Sequence, residues 1–265
     1  MRRPKVCVLR TAGTNCDQET AFAFSLAGAE TELAHINRLV SKEKALSVFQ
    51  ILALPGGFSY GDDIAPGKIF ANELKFKLLG QIRQFIQEGK LIIGICNGFQ
   101  ILVKAGLLPG NDDLEQEVTL SINDSGKFED RWVYLKTQDT RHKTQVRCVW
   151  TKNIPAVIYL PVAHGEGKFI AGQAVLERLK KNGQVVFQYC GAGGKPAGYP
   201  GNPNGSLENI AGISDETGRI FGLMPHPERH SRRWQHPRWS SSMMEREPDG
   251  LKIFKNGVAY AKKYL

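Results

Sequence analysis

Residues 91–96 read Leu-Ile-Ile-Gly-Ile-Cys, a strand-length run with no polar face. A half-solvated strand alternates apolar and polar residues. A strand apolar on both faces must be covered on both, as in the middle of a parallel sheet packed between helices. The flanking segments agree with that placement. From Ile69 to Glu88, Phe70, Leu74, Leu78, Ile82 and Phe85 recur at helical spacing and predict one long helix, stopped by Gly89. Phe99–Gly106 predicts a helix on the other side. Upstream, Lys5–Arg10, Thr31–Ile36 and Gln50–Gly57 read as strands, and Asp17–Ala27 reads as a helix ending at Gly28. Ser41, with an acid in the following turn, marks a further helix start in 41–49. This alternation predicts an α/β fold: a flavodoxin-like, doubly wound, mostly parallel sheet with helices on both faces.

After Pro109 the pattern changes. Glu117–Asp124, Arg131–Thr137 and Gln145–Thr151 are rich in β-branched and aromatic residues and predict antiparallel strands added to the sheet or lying beside it. Ala174–Gly183 predicts a helix and Gln184–Cys190 a strand. Gly191–Ser206 is an irregular loop rich in Gly, Pro and Asn. Ile210–Pro225 reads as a hairpin, and Leu251–Leu265 as a terminal amphipathic helix. With no internal repeat and no long linker, residues 1–265 read as a single domain.

No apolar run approaches the roughly 18–20 residues that a membrane span needs. The first ten residues resemble a first strand rather than a signal peptide. The five cysteines, Cys7, Cys16, Cys96, Cys148 and Cys190, form no C-x-x-C pair, so neither a zinc site nor a disulfide framework is expected, and a reducing cytoplasm is the natural setting. The net charge of +9 is densest from Arg229 to Trp239. Such a segment suits an acidic or phosphorylated partner, and equally a solvated surface.

One cysteine stands apart. Gly94-Ile-Cys96-Asn-Gly98 has the form of a nucleophile elbow, with a strand before it, a helix after it and glycines on both sides. A helix N-terminus behind a thiol favours its anion. A buried cysteine at a strand end beside a glycine turn would look similar. A thiol nucleophile needs a base and a group that orients the base. His226, after the strand Ile220–Met224 and between two prolines, has Glu228 two residues on, where an extended chain would point both side chains the same way. A surface His-Pro turn would carry the same residues. Acyl transfer also needs oxyanion donors, for which the Asn97 amide and the loop beginning Pro55-Gly56-Gly57 are placed. The four remaining cysteines lack this setting and read as structural.

Taken together, GICNGFQ at 94–100, LPGGFSYGDD at 54–63 and MPHPER at 224–229 resemble the signatures of class I, triad-type glutamine amidotransferases. GTNCD at 13–17, SGKFEDRWV at 125–133, VAHGEGKF at 162–169 and NPNGS at 202–206 make the chain similar, more narrowly, to the glutaminase subunits of phosphoribosylformylglycinamidine synthases. The resemblance implies that Cys96 attacks the side-chain amide of L-glutamine, that His226 moves protons and that Glu228 orients it. Gly57 and Asn97 would supply the oxyanion amides. Gly56, Gln100, His164, Gly165 and Glu166 would contact the substrate.

The same resemblance implies a synthetase subunit as partner, which uses ATP and magnesium to amidate formylglycinamide ribonucleotide, and a small bridging subunit. It implies no cofactor or metal in this chain, and no nucleic-acid or membrane partner. The basic segment after Glu228 and the 125–133 stretch are candidate docking surfaces. Two other readings remain at this stage. One is a peptidase- or repair-type cysteine hydrolase on the same kind of sheet, which usually places histidine directly after the nucleophile, where this chain has Asn97. The other is a basic nucleic-acid-binding module, for which Trp234 and Trp239 among arginines are the only sign.

Overall fold

The computed structural model describes residues 3–111, 113–138, 148–240 and 247–265. Its first half contains strands β1 (Lys5–Arg10), β2 (Glu30–His35), β3 (Ile51–Leu54) and β4 (Leu91–Ile95). They alternate with helices α1 (Asp17–Leu26), α2 (Ile36–Val40), α3 (Lys68–Lys77) and α4 (Leu79–Gln87), and α5 (Asn97–Lys104) follows β4. The second half adds β5 (Val118–Ile122), β6 (Glu129–Thr137), β7 (Val157–His164), β8 (Glu166–Ala171), α6 (Gln173–Lys181), β9 (Val185–Cys190), β10 (Ile210–Ser214), β11 (Ile220–Leu223) and α7 (Asp249–Tyr264).

Nine strands form one sheet in the order β2-β1-β3-β4-β11-β10-β9-β6-β7, while β5 and β8 pair separately. The pairings from β2 to β11 are parallel, and those from β11 to β7 are antiparallel. β4 lies between β3 and β11, and every residue from Leu91 to Ile95 is buried, as its unbroken apolar sequence requires. Helix α5 packs on β3, β4 and β11, while α1 packs on β1, β2 and α7.

Four local expectations change. The helix read over 69–88 is two, broken at Leu78 (φ −120°, ψ 3°). Phe70 and Leu74 are buried before the break, and Ile82 and Phe85 after it. The apolar spacing therefore runs straight through a kink that the sequence does not register. The helix expected from Ser41 lies earlier: α2 ends there, capped at its start by His35 Nδ1, which accepts from the Asn37 N–H at 3.2 Å. Only a 3-10 turn, Leu46–Val48, follows.

The strand expected at 145–151 lies partly outside the described residues, and Val149–Thr151 forms a 3-10 turn. That turn buries Trp150 edge-on to Phe24, with its indole N–H donating to Arg219 O at 3.0 Å. Strands β7 and β8 were not anticipated. Pro161 interrupts the β7 sequence as a strand signal, but β7 is the last strand of the sheet, where a missing N–H is tolerated.

The junction of β4 and α5 is the tightest feature. A Cβ added to Gly98 would lie 1.9 Å from Leu54 O, and one on Gly94 would lie 2.5 Å from Gly98 O. Gly98→Ala is therefore expected to cost more than about 2 kcal/mol in chemical denaturation. Gly80 provides the control: it is exposed in α4, and nothing lies within 4 Å of its added Cβ, so Gly80→Ala is expected to be neutral or slightly stabilising. Equal effects of the two substitutions would contradict this packing account.

Candidate active site

Because α5 starts one residue after β4 ends, Cys96 must turn the chain by itself. It does so at φ 51°, ψ −107°, a left-handed conformation that an L-residue adopts only under constraint. The constraint is visible. Its N–H donates to Leu223 O at 2.8 Å, and its carbonyl accepts from the Phe99 and Gln100 amides at 3.0 and 3.1 Å. The thiol is buried at the start of α5, 3.7 Å from Ala163 O. Asn97 is the first residue of α5, so its backbone N–H has no partner within the helix and is available beside the thiol.

His226 lies just beyond β11, the neighbour of β4. Its N–H donates to Pro161 O at 2.8 Å, tying it to β7. Its Nδ1 is 2.6 Å from Glu228 Oε1. The extended geometry expected for this pair is replaced by a 3-10 turn, Pro227–His230, with the proline at its first position. The pairing is as expected but the route is not: the turn, not strand alternation, brings the carboxylate to the ring. With Nδ1–H donated to Glu228, the other nitrogen, Nε2, is left for the thiols. Burial alone would lower the His226 pKa. The charge of Glu228, then that of Cys96, overrides it, and the group ends well above its ordinary 6.5. The site therefore favours an imidazolium at His226.

Gly56 gives the ring its room, since a Cβ there would come within 2.8 Å of His226 Cε1. Gly57, at φ +144°, is pressed against Gly13–Asn15, where an added Cβ would lie 2.7 Å from the Asn15 nitrogen. The loop after β1 clamps this glycine loop in register. Phe58 N–H donates to Gly13 O (2.9 Å), Tyr60 N–H to Ala12 O (2.8 Å) and Cys16 N–H to Gly56 O (3.2 Å). From the other side, Asn97 Oδ1 accepts from the Ser59 N–H at 3.3 Å, while its Nδ2 donates to Gln100 Oε1 at 3.0 Å. Gln100 Nε2 in turn donates to Glu166 O at 2.6 Å. The side chains of Asn97 and Gln100 thus hold together the loops that carry Gly57 and Glu166.

These groups surround one pocket of about 360 Å³, lined among others by Cys96, His226, Gly57, Gln100, His164 and Glu166. Gly165 also lines it, while Gly56 lies behind the ring and Glu228 behind His226. His164 is present but its imidazole faces the fold: Nδ1 pairs with Asn123 Oδ1 at 3.1 Å. Burial, and secondarily the neighbouring His226, push it down to about 3, so it is neutral at physiological pH. Several wall residues were not read as part of the site from sequence: Asn15, Cys16, Phe58, Asp62, Phe128 and Arg229. Asp62, raised above the usual carboxylate range by burial, and Glu166 give the pocket two carboxylates. Cys16, read as structural, lies beside His226, and burial raises its thiol against the opposing hydrogen bond from that ring.

The basic segment beyond Glu228 folds back onto the protein. The Arg232 guanidinium sits 4.1 Å from the Phe22 ring centroid and 5.1 Å from that of Trp234, and His230 and His236 pack against Trp132. Residues 241–246 of this segment lie outside the described residues. No described helix is long and apolar enough to cross a membrane.

A thiol on a strained strand-to-helix turn, an imidazole oriented by a carboxylate and a mixed α/β sheet define a cysteine amidohydrolase of the glutamine amidotransferase class. Comparison with known proteins narrows the class. Residues 3–261 match the family of CobB/CobQ-like glutamine amidotransferase domains. The phosphoribosylformylglycinamidine synthase subunit PurQ of Dehalococcoides mccartyi is 51% identical over 99% of this chain and 100% of its own. That of Archaeoglobus fulgidus is 46% identical over 98% of this chain and 97% of its own. Among solved structures, PurLQS from Thermotoga maritima matches with 32% identity and a TM-score of 0.72, covering 98% of this chain and 99% of that one. The chain belongs to the PurQ family of phosphoribosylformylglycinamidine synthase subunits.

Glu228→Gln removes the charge that raises His226 most and leaves burial less opposed, so the His226 pKa falls. If His226 is the proton donor to the leaving group, kcat/KM is lost as pH rises through its pKa. The substitution should move that alkaline limb to lower pH and reduce kcat by about 100- to 10,000-fold. A limb that stays in place would assign it to another group.

Proposed function

We propose that Cys96, His226 and Glu228 hydrolyse L-glutamine by way of a cysteine thioester. The carrying observation is the single arrangement of an elbow cysteine beside a buried histidine whose Nδ1 is held by a carboxylate at 2.6 Å. The Cys96 thiolate attacks the amide carbon of the glutamine side chain. The Gly57 and Asn97 amides receive the developing oxyanion, and the His226 imidazolium gives its proton to the leaving nitrogen. Ammonia departs, leaving a γ-glutamyl thioester. His226, now neutral, takes a proton from water as the water attacks, and glutamate leaves with the thiol restored. Gly56 makes space for the imidazole. Gln100, His164, Gly165 and Glu166 form the end of the pocket that receives the amino-acid part of glutamine, together with Asp62. His164 acts there as a neutral wall and loop anchor rather than as a charge.

The chain is the glutaminase of a phosphoribosylformylglycinamidine synthase. It supplies ammonia to a synthetase subunit that makes formylglycinamidine ribonucleotide in purine biosynthesis, in an assembly with a small bridging subunit. The pocket needs no cofactor for this chemistry; ATP and magnesium belong to the synthetase step. The cytoplasm is the compartment we assign to it.

The test combines the chain with its synthetase and bridging subunits and measures glutamate and formylglycinamidine ribonucleotide formed from glutamine. Cys96→Ala should abolish both, while supplied ammonia restores the ribonucleotide product. Glutamine hydrolysis that survives in the variant would overturn the assignment of the nucleophile.

A further inference from the structure

Cys16 is a second thiol at His226, and the proposed hydrolysis does not use it. It is buried at the N-terminus of α1. A thiol that only fills space lies among apolar side chains. The Cys16 thiol instead donates to Asn15 Oδ1 at 3.3 Å, and its sulfur accepts from Arg229 Nη2 at 3.3 Å. Arg229 Nε donates to Glu19 Oε2 at 3.0 Å, so the guanidinium ties the thiol to α1. The Cys16 sulfur, a ring nitrogen of His226 and a carboxylate oxygen of Glu228 all fall within 4.8 Å of one another. Gly56 shows how close thiol and ring come: a Cβ built there would be 2.8 Å from His226 Cε1 and 3.2 Å from Cys16 Sγ. Nδ1 of the ring is held by Glu228. Nε2 is buried with no nitrogen or oxygen partner among the described residues, so it faces the thiols of Cys16 and Cys96.

We propose that Cys16, held by Arg229, is a positioning residue for the His226 imidazole, keeping Nε2 directed into the pocket until the leaving nitrogen of glutamine takes its proton. The turn Pro227–His230 thereby fixes both ring nitrogens: Nδ1 directly through Glu228, and Nε2 through Arg229 and Cys16. A neutral thiol has one S–H to give and lone pairs to receive. Asn15 takes the S–H, and the lone pairs face Arg229 and the ring N–H.

Burial raises the Cys16 pKa above its ordinary value, so this residue stays a thiol and leaves the proton on His226. Sulfur is also a weak acceptor, which orients the ring without locking it. The other titratable and charged groups around the ring are Glu228 and Arg229 on its own turn, Cys96 at the start of α5 and His164 at the end of β7. Burial lowers the His226 pKa, while Glu228, Cys96 and the Cys16 contact raise it. The role in turnover rests on the glutaminase reading above, whereas the contact does not.

The test measures glutamine hydrolysis against pH in the assembled complex. Cys16→Ala should lower kcat by about 3- to 10-fold with KM little changed, the loss expected for one hydrogen bond. It should also move the alkaline limb of kcat/KM to lower pH, because burial of His226 is then less opposed. Cys16→Val, which refills the space without an acceptor, should do the same, and Cys16→Ser, which keeps one, should return the limb toward its parent position. Cys7→Ala removes a similarly buried thiol from β1, outside the site, and should leave kcat and the limb in place whatever it does to the melting temperature. Independently of turnover, 15N-histidine spectra of the full chain across pH follow the His226 ring, whose pKa should fall in Cys16→Ala and Cys16→Val and recover in Cys16→Ser. A ring pKa and a limb indifferent to Cys16, or moved equally by Cys7→Ala, would overturn the positioning role. A Cys16-dependent ring pKa in a complex that cannot hydrolyse glutamine would overturn the glutaminase reading and the role with it, while the contact stood.

Discussion

The approach of Gly98 to the Leu54 carbonyl is the contact on which the rest depends. It lets α5 begin directly against β3 and β4, leaving a single residue to reverse the chain direction. That residue is Cys96, and its left-handed backbone follows from the geometry on either side of it. The same closeness puts the thiol at the start of α5, beside the free amide of Asn97, and next to the strand that leads to His226. Packing that a core would need for its own reasons therefore also places the proposed nucleophile, oxyanion donor and base.

Two buried histidines show how the site chooses its charge. His226 and His164 are both nearly inaccessible, and burial lowers the pKa of each. They part because of what faces Nδ1. His226 has the Glu228 carboxylate there and ends well above 6.5. His164 has the neutral Asn123 amide and falls to about 3. A charged imidazole beside it would cost His164 further, so one proton on His226 reinforces the neutrality of its neighbour.

Much of this was legible in the sequence because it depends on local pattern. The two-faced apolar run at 91–95 placed the central strand, the glycines at 94 and 98 marked the elbow, and His226 with Glu228 was read as a pair that the structure holds at 2.6 Å. Features set by distant pairings were less legible. The break at Leu78 keeps the apolar stripe intact, and Pro161 hides an edge strand whose carbonyl anchors His226. Cys16 looked inert because no strand-to-helix elbow surrounds it, and only the loop after β1, packed against Gly56, brings it to the imidazole. Asn97 was expected to lend only its backbone amide and Gln100 to contact the substrate, whereas the structure shows both side chains bracing the loops around the pocket.

The central claim is that Cys96 carries the acyl group during turnover. The most direct measurement is rapid acid quench of the assembled complex turning over glutamine, followed by peptide mass spectrometry. A γ-glutamyl adduct should appear on the peptide containing Cys96 and disappear as glutamine is exhausted. An adduct on Cys16 instead, or sustained glutamate release with Cys96 never modified, would contradict it.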